Sequence, residues 1–229
     1  MNDKSLAVII VAGGTGSRMG TDVPKQFLEI SNKEIIEYTI ETFADSNVAD
    51  KIYIVCHKDY NEHVKAIVER ASLPIPFEIV TGGENRQKSV YNGLVKAQEY
   101  EYVMIHDAVR CCITVEEIRN LYDELIKCGS CALGVKVKDT IKVVDSEDVI
   151  IQTPDRARLV QIQTPQAFET KLILKAHENA VNLGITATDD CALVEGMGNI
   201  VKVVYGSYDN IKITTPEDML IAKEILKRQ

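Results

Sequence analysis

Apolar runs alternate with amphipathic segments along the first hundred residues of the chain. The apolar runs are rich in Val and Ile, as buried parallel strands are, and the segments between them carry apolar residues at helical spacing. The predicted strands are 5–11, 51–56, 77–80 and 102–106. The predicted helices are 34–43, 61–71 and 89–98. This alternation predicts βαβ units and therefore an α/β protein with a mostly parallel, twisted sheet flanked by helices.

The pattern changes after Lys136. Residues 137–145 and 158–162 alternate in hydropathy around a polar turn, which predicts a β-arm over 137–162 that projects from a single domain spanning 1–229. Such an arm buries little within its own subunit, so pairing with a second subunit is expected; a hairpin folded back on its own sheet is the alternative. Three further elements complete the prediction: helix 171–183, strand 201–205 and a terminal helix 216–227 capped by Thr215.

Composition limits the class of function. The net charge is −8 over 229 residues, which argues against general binding to nucleic acid or to membrane surfaces. No apolar run is long enough for a membrane span and no leader pattern is present, so a cytoplasmic protein is expected. The six cysteines are then expected to be reduced thiols, and the spacing of Cys128 and Cys131 is interpreted as coincidence.

The glycine-rich loop after the first strand is the strongest chemical signal. Gly14 and Gly16 would leave backbone N–H groups open to an anion, while Arg18 and Lys25 follow with positive charge, so the loop predicts a polyphosphate site. The spacing fits neither the P-loop nor the dinucleotide fingerprint. A plain turn between strand and helix is the alternative interpretation.

Two more loops should lie beside it, because ligands bind at the carboxyl ends of parallel strands. Asp107 follows the fourth strand and could bind Mg²⁺ or a ribose hydroxyl, or simply cap a helix, and Arg110 could hold a second anion. His106 is expected to orient this loop. The third strand leads into Gly83, and that loop could present backbone groups and Ser89 to a base edge, braced by Arg86.

Three segments nearer the C-terminus are also candidates. Residues 163–168 are predicted to form a tight turn that presents hydroxyl and amide groups. Residues 188–190 are predicted to form a polar turn, for which simple helix capping is a strong alternative. Lys212 is predicted to lie in an alternating strand, where it faces either the ligand cleft or solvent.

Taken together, these motifs resemble a known family over essentially the whole chain. The motifs are Ala12-Gly13-Gly14-x-Gly16-x-Arg18-Met19, Pro24-Lys25-Gln26, Arg86-x-x-Ser89-Val90, His106-Asp107-Ala108-x-Arg110, Asp139-Thr140, Thr164-Pro165-Gln166-x-Phe168, Thr188-Asp189-Asp190 and Asn210-Ile211-Lys212-Ile213-Thr214-x-Pro216-Glu217-Asp218. The chain resembles the sugar- and polyol-phosphate cytidylyltransferases, most of all the branch that acts on 2-C-methyl-D-erythritol 4-phosphate in non-mevalonate isoprenoid synthesis. The resemblance implies a Rossmann-like nucleotidyltransferase fold.

The resemblance also implies roles for individual residues. The implied catalytic residues, which surround the triphosphate of CTP, are Arg18, Lys25 and Lys212. Gly14 and Gly16 would cradle the same triphosphate, and Gly83, Glu84 and Ser89 would frame the cytosine. Asp107 would hold Mg²⁺ and the ribose or polyol. The polyol phosphate would be held by Arg110, Thr140, Arg156, Thr164 and Thr188. In the family the residue matching Arg156 comes from the other subunit, which implies a homodimer formed through the β-arm.

The chain departs from the family pattern at a few positions. Cys111 follows Arg110 where proline is usual, and Val109 is typical of the ribitol 5-phosphate cytidylyltransferases. Ala108 and Ser89 favour the methylerythritol branch, so ribitol 5-phosphate is kept as the alternative substrate. A second alternative is a nucleotide-binding regulator without turnover, and the joint presence of Arg18, Lys25, Asp107 and Lys212 argues against it.

Overall fold

The computed structural model describes residues 5–14 and 23–229. The strands are β1 (Leu6–Ala12), β2 (Glu29–Ile30), β3 (Lys33–Glu34), β4 (Lys51–Cys56), β5 (Phe77–Thr81), β6 (Tyr102–Asp107), β7 (Ser130–Lys136), β8 (Val143–Val144), β9 (Ile150–Gln152), β10 (Val160–Glu169) and β11 (Lys202–Tyr205). The helices are α1 (Ile35–Ser46), α2 (Asn61–Ala71), α3 (Arg86–Lys96), α4 (Val115–Cys128), α5 (Thr170–Leu183), α6 (Asp190–Glu195) and α7 (Pro216–Leu226). Short 3₁₀ turns lie at Lys25–Phe27, Lys58–Tyr60 and Arg156–Arg158.

A seven-stranded sheet in the order β11-β7-β10-β6-β1-β4-β5 forms the centre of the molecule. Strand β1 pairs in parallel with both β4 and β6. Strand β4 also pairs in parallel with β5, and β7 pairs in parallel with β11. Only β10 within this sheet runs antiparallel, to both β6 and β7. The predicted α/β class with a mostly parallel sheet is therefore confirmed, and the parallel connections are the helical crossovers that this geometry requires.

Alternate residues of β1 are buried in two different apolar layers. Leu6, Val8 and Ile10 pack with α1, α2 and α4, whereas Ala7 and Ile9 pack with α3, α5 and α6. All five are completely buried. Because a strand covered on both faces has no polar side, β1 is a continuous apolar run, and each buried Ile or Leu contributes about 1.5–3 kcal/mol of transfer free energy.

Local sequence signals fix the ends of the helices that lead into the site. The side chain of Asn85 caps α3 by accepting from the backbone N–H of Lys88 at 2.8 Å. Thr215 caps α7 in a reciprocal box with Asp218, and Pro216 takes the first helical position, as predicted.

Two sequence predictions about the C-terminal half are wrong. Residues 163–168 are not a tight turn but part of β10, whose register with β7 shifts between Ile162 and Gln166. Pro165 lies within this irregularity, where its missing N–H does not interrupt a regular ladder. Lys212 is not in a strand: the segment around it is irregular and is attached to the loop after β6, because the Ile213 N–H donates to the Val109 carbonyl at 3.0 Å.

The segment predicted to project as a β-arm contains a small separate sheet. Strands β8 and β9 pair antiparallel, and residues 138–153 are all exposed, whereas residues 160–162 belong to β10 of the central sheet. Ile150 and Ile151 leave 58% and 62% of their surfaces exposed, which is unusual for two adjacent isoleucines. Association through this hairpin stays a prediction.

Within residues 5–14 and 23–229, no helix combines the length and the apolar character needed to cross a membrane. All six cysteines are free thiols, and Cys128 is the exposed one.

Candidate active site

A cavity of about 350 Å³ opens at the carboxyl ends of β1, β5 and β6. The predicted position is confirmed, since the loops that follow these three strands all contribute to its wall. Its lining residues are Val11, Ala12, Gly13, Gly14, Lys25, Gln26, Gly83, Glu84, Asn85, Arg86, Ser89, Asp107, Val109 and Lys212. Three of these side chains are cationic and two are carboxylates, so the cavity carries positive charge inside a protein of net charge −8.

The two glycine loops approach each other at Ser89. A methyl group at Gly13 would lie 3.5 Å from the Ser89 hydroxyl oxygen, and one at Gly82 would lie 3.1 Å from it. At Gly83 a methyl group would come within 2.6 Å of the Cβ atom of Lys88, so a side chain there requires the start of α3 to move. A methyl group at Gly14 would meet no atom within 4 Å among the described residues beyond its chain neighbours, and Gly14 lines the cavity.

Ser89 holds the second loop in place. Its hydroxyl is 2% exposed, accepts the Gly83 N–H at 3.0 Å and donates to the Asn85 carbonyl at 2.8 Å. The Gly83 N–H is thus satisfied within the protein. This arrangement shapes the loop at the N-terminus of α3 and gives Ser89 a positioning contact in addition to its place in the wall.

Asp107 ends β6 and lies between two cations. Its carboxylate accepts from Arg86 Nε at 3.0 Å and from Lys212 Nζ at 2.6 Å, while its backbone N–H donates to the Thr164 hydroxyl at 3.1 Å. Burial alone would raise the pKa of Asp107, but Arg86 and Lys212 outweigh it and hold that pKa well below its usual value. Asp107 is therefore ionised at neutral pH.

Arg86 bridges Asp107 to a second buried carboxylate. Its Nη1 donates to Asp190 at 2.8 Å, and the other oxygen of Asp190 lies 3.1 Å from Nε2 of His177. Burial opposes the charge on Arg86, but the two carboxylates outweigh it and raise its pKa. Likewise, burial would raise the pKa of Asp190, whereas Arg86 and His177 together lower it. The predicted bracing role of Arg86 agrees with these contacts.

The two lysines of the cavity come from distant parts of the sequence. Lys25 Nζ donates to the carbonyl oxygen of Ile213 at 3.0 Å, next in sequence to Lys212. The neighbouring Gln26 is buried and donates to the Ala12 carbonyl at 2.6 Å, which ties the 3₁₀ turn to the end of β1. These bonds bring both ammonium groups to one cavity, as the polyphosphate prediction requires.

His106 supports the loop that carries Asp107. Its Nδ1 lies 3.0 Å from the Thr164 hydroxyl, and its Nε2 lies 3.3 Å from the Arg110 carbonyl. Because a carbonyl can only accept, these contacts assign the proton to Nε2 and make Nδ1 the acceptor. Burial lowers the pKa of His106 to about 3, so the ring is neutral and orients the loop, in agreement with the prediction.

Arg110 points into a neighbouring cavity of about 370 Å³ that Lys212 also lines. Its Nη1 donates to the Asn210 carbonyl at 2.9 Å, while its buried Nε has no hydrogen-bond partner in the part of the chain that the structure describes. Burial lowers the pKa of Arg110. An anion at Lys212 would thus have a second cation within reach of the adjoining cavity.

The structure brings about half of the predicted site residues together. Those that line the first cavity are Gly14, Lys25, Gly83, Glu84, Ser89, Asp107 and Lys212. Thr164 is buried behind Asp107, with its hydroxyl bonded to His106. Thr140 and Arg156 lie exposed near the β8–β9 hairpin, and Thr188 is exposed before α6. Gly16 and Arg18 lie outside the described residues.

His177 was not predicted, and Asp190, Gln166 and Gln26 lay in predicted segments or motifs without a role of their own. Gln166 accepts the Asp190 N–H at 3.0 Å and donates to Asp189 at 3.0 Å, so it fixes the start of α6. Asp189 is the actual cap of α6. The sequence signal that could have identified Asp190 was the adjacent pair Asp189 and Asp190, because only one of two adjacent aspartates can cap the helix.

A metal site built from protein side chains alone is not found in the described ranges, where no three His, Cys, Asp or Glu side chains cluster suitably. Asp107 and Glu84 are the carboxylates that face the cavity. This donor set fits an ion such as Mg²⁺, which keeps several waters and takes one or two carboxylates together with substrate phosphates.

Comparison with known proteins agrees with the site. A family model described as 2-C-methyl-D-erythritol 4-phosphate cytidylyltransferase matches residues 6–228. The protein of that name from Desulforamulus reducens is 42% identical over 227 residues, which cover 98% of this chain and 97% of that protein. The one from Clostridium botulinum strain Eklund 17B is 43% identical over 226 residues, with 97% and 100% covered.

Solved structures give the same result. The crystal structure of 4-diphosphocytidyl-2C-methyl-D-erythritol synthase from Anaerococcus prevotii superposes with a TM-score of 0.87 at 34% identity and covers 98% of this chain and 97% of that one. The Francisella tularensis 2-C-methyl-D-erythritol 4-phosphate cytidylyltransferase superposes with a TM-score of 0.80 at 30% identity, with 97% and 100% covered. The chain belongs to the 2-C-methyl-D-erythritol 4-phosphate cytidylyltransferase family.

Proposed function

We propose that this protein transfers the cytidylyl group of CTP to 2-C-methyl-D-erythritol 4-phosphate, releasing pyrophosphate and forming 4-diphosphocytidyl-2-C-methyl-D-erythritol. The observation that carries the proposal is the convergence of Lys25, Lys212 and the Arg86–Asp107 pair on one cavity that Gly14 also lines. Family membership supports the reaction and makes the protein a CTP-dependent nucleotidyltransferase of isoprenoid synthesis. We also propose a cytoplasmic location for this step, where CTP is available.

The reaction joins two anions, so charge neutralisation and alignment are the main tasks of the protein. The phosphate of the polyol attacks the α-phosphorus of CTP in line, and the bond to the pyrophosphate breaks on the opposite side. Lys25 and Lys212 supply positive charge to the phosphorus as it gains a fifth oxygen neighbour. Arg18 and the backbone of Gly14 and Gly16 would complete the cradle of the triphosphate.

The nucleoside is assigned to the other side of the cavity. Gly83 and Glu84 line it at the N-terminus of α3, where Ser89 fixes the loop. A loop of fixed shape can hold a base edge through its backbone groups.

Asp107 would serve as the protein ligand of Mg²⁺ and would contact the ribose or polyol. Bound Mg²⁺ would neutralise charge on the phosphates. Lys212 lies 2.6 Å from the carboxylate, and its release from Asp107 would free that site for a metal ion, whose positive charge the ammonium group would otherwise repel. The phosphates of CTP offer the lysine an alternative anionic partner.

The polyol phosphate is assigned to the second cavity and to residues supplied across a dimer. Arg110 and Lys212 line that cavity in one subunit. Thr140 and Arg156 are exposed near the hairpin, Thr188 is exposed at the surface, and Thr164 is the structural support behind Asp107. A homodimer formed through the exposed hairpin would place Arg156 of one subunit in the site of the other.

Ribitol 5-phosphate is not favoured as the substrate, because the family model and the relatives named above carry the methylerythritol description. A direct test compares pyrophosphate release from CTP and Mg²⁺ with methylerythritol 4-phosphate and with ribitol 5-phosphate. We expect turnover with the first substrate and at least a hundredfold lower kcat/KM with the second. Preference for ribitol 5-phosphate would reverse the substrate assignment, and tight CTP binding without turnover would favour the regulator.

A matched pair of variants connects this assay to the site. Lys212→Gln removes a lysine paired with Asp107, and Lys202→Gln removes a lysine paired with Glu124 on the surface. We expect the first to lower kcat by about 10²–10³ and the second to leave it unchanged. Equal rates in the two variants would contradict the role of Lys212.

A further inference from the structure

A line of buried contacts connects the cavity wall to helix α5. It runs from Asp107 through Arg86 and Asp190 to His177, with contacts of 3.0, 2.8 and 3.1 Å. We propose that His177 and Asp190 are positioning residues that fix the guanidinium of Arg86 and, through it, the carboxylate of Asp107. The proposal rests on the proposed function, because it assigns these two residues to the same site.

The geometry leaves Asp190 little freedom. Its side chain is 1% exposed, and its two oxygens are bonded to different partners, Arg86 and His177. Its backbone N–H is held separately by Gln166 at 3.0 Å. Loss of either side-chain partner would leave a buried carboxylate oxygen without a donor, which costs more than the bond contributes when present.

The contact from His177 is a hydrogen bond from an imidazole N–H to a carboxylate. The ring is 1% exposed and lies alongside Tyr91, with centroids 6.2 Å apart. Since Asp190 accepts, Nε2 carries the proton in this contact. Besides this imidazole, the network contains two carboxylates, Asp107 and Asp190, and two cations, Arg86 and Lys212.

Because Arg86 contacts both Asp107 and Asp190, the position of Asp190 can affect the orientation of the Asp107 carboxylate. When a phosphate takes Lys212, Arg86 is the cation that still contacts Asp107. The plane of its guanidinium then determines where the Asp107 oxygens point, and Asp190 fixes that plane from the opposite edge. His177 is not among the residues that line the substrate cavity, so its loss should change kcat and leave the KM for CTP nearly unchanged.

The test compares His177→Leu, which has no donor, with His177→Gln, whose amide can reach the position of Nε2. We expect the leucine variant to lose about tenfold in kcat, in line with losses at residues that support site ligands, and the glutamine variant to stay within about threefold of wild type. Ile173→Ala is the control for destabilisation, because Ile173 is fully buried on the same helix and its apolar side chain makes none of the hydrogen bonds of the network. It should lower the unfolding midpoint while kcat is unchanged.

A second readout separates this proposal from the proposed function. The Arg86 Nε–H donates to a buried carboxylate, so it should give an exchange-protected NMR signal, assigned by its loss in Arg86→Lys. We expect His177→Leu to shift or broaden the signal and His177→Gln to preserve it. If the leucine variant does not fold, His177→Asn, whose amide is too short to reach Asp190, takes its place.

The outcomes are distinguishable. A wild-type protein without turnover would overturn the proposed function, and the Arg86 signal would still decide the positioning role. Wild-type kcat and an unchanged Arg86 signal in His177→Leu would overturn the inference while the function stands. A loss of kcat matched by Ile173→Ala would also overturn it, since destabilisation alone would then explain the effect.

Discussion

The neutral state of His106 should make the stability of this protein depend on pH between about 8 and 5. The folded-state pKa of His106 is lowered to about 3, whereas an unfolded histidine titrates near 6.5. The stabilising contribution of the neutral His106 ring is therefore fully present above the pKa of the unfolded state and is lost as the pH falls toward the pKa of the folded state. At pH 5 the unfolded ring is protonated and the folded ring is not, which costs about 2 kcal/mol of unfolding free energy relative to pH 8.

The assay is urea unfolding at several pH values, in wild type and in His106→Gln. Glutamine retains a donor for the Arg110 carbonyl but cannot take up a proton. The variant should be less stable at pH 8, yet lose about 2 kcal/mol less than wild type on acidification to pH 5. His57→Gln is the control, because 56% of the His57 side chain is exposed, and it should follow the wild-type profile. If His106→Gln showed the wild-type slope, the claim that burial excludes the proton from this ring would be refuted.

Three further predictions concern the site itself. Arg18→Ala and Lys25→Ala should each lower kcat for pyrophosphate release by about 10²–10³, because both cations would meet charge that develops in the transition state; a near-wild-type rate in a folded variant would exclude that role. Arg156→Ala should raise the KM for the polyol phosphate far more than the KM for CTP in steady-state kinetics, and equal losses would argue against a site shared between subunits. Gly83→Ala should destabilise the protein by about 1–3 kcal/mol and weaken CTP binding in calorimetry, whereas Gly14→Ala, whose methyl group has no described atom within 4 Å beyond its chain neighbours, should change thermal unfolding much less.

The first half of the fold could be predicted because its strands are buried on both faces. Runs such as residues 5–11 and 51–56 are recognisable without context, and the parallel sheet they imply brings the loops after β1, β5 and β6 to one edge. The position of the cavity followed from this topology, so Lys25 and Asp107 could be assigned to one site before any contact was known.

Tertiary contacts decided the parts that could not be predicted. Strand β10 buries the polar residues Gln163, Thr164 and Gln166, which break the apolar alternation expected of a central strand. Their hydrogen bonds to distant groups make that burial possible, as with Gln166 and the start of α6. The pairing of Arg86 with Asp190 joins residues 104 positions apart, and no local pattern carries such information.

The contacts of Lys212 explain how an acidic protein can hold a highly charged nucleotide. Without substrate, Lys212 is paired with Asp107 and Arg86 is shared between Asp107 and Asp190, so both of these cations already have carboxylate partners. On the proposed function, the triphosphate draws Lys212 away from Asp107 and exposes one carboxylate oxygen at the moment when Mg²⁺ arrives with the phosphates. Lys212 and Asp107 each exchange one partner for another, so the carboxylate, which is 9% exposed, is not left unpaired, which would cost several kcal/mol. Asp107→Asn should therefore weaken two interactions. It would weaken the hydrogen bond to Lys212 before CTP binds, and it would remove the negative charge that faces the metal ion after CTP has bound.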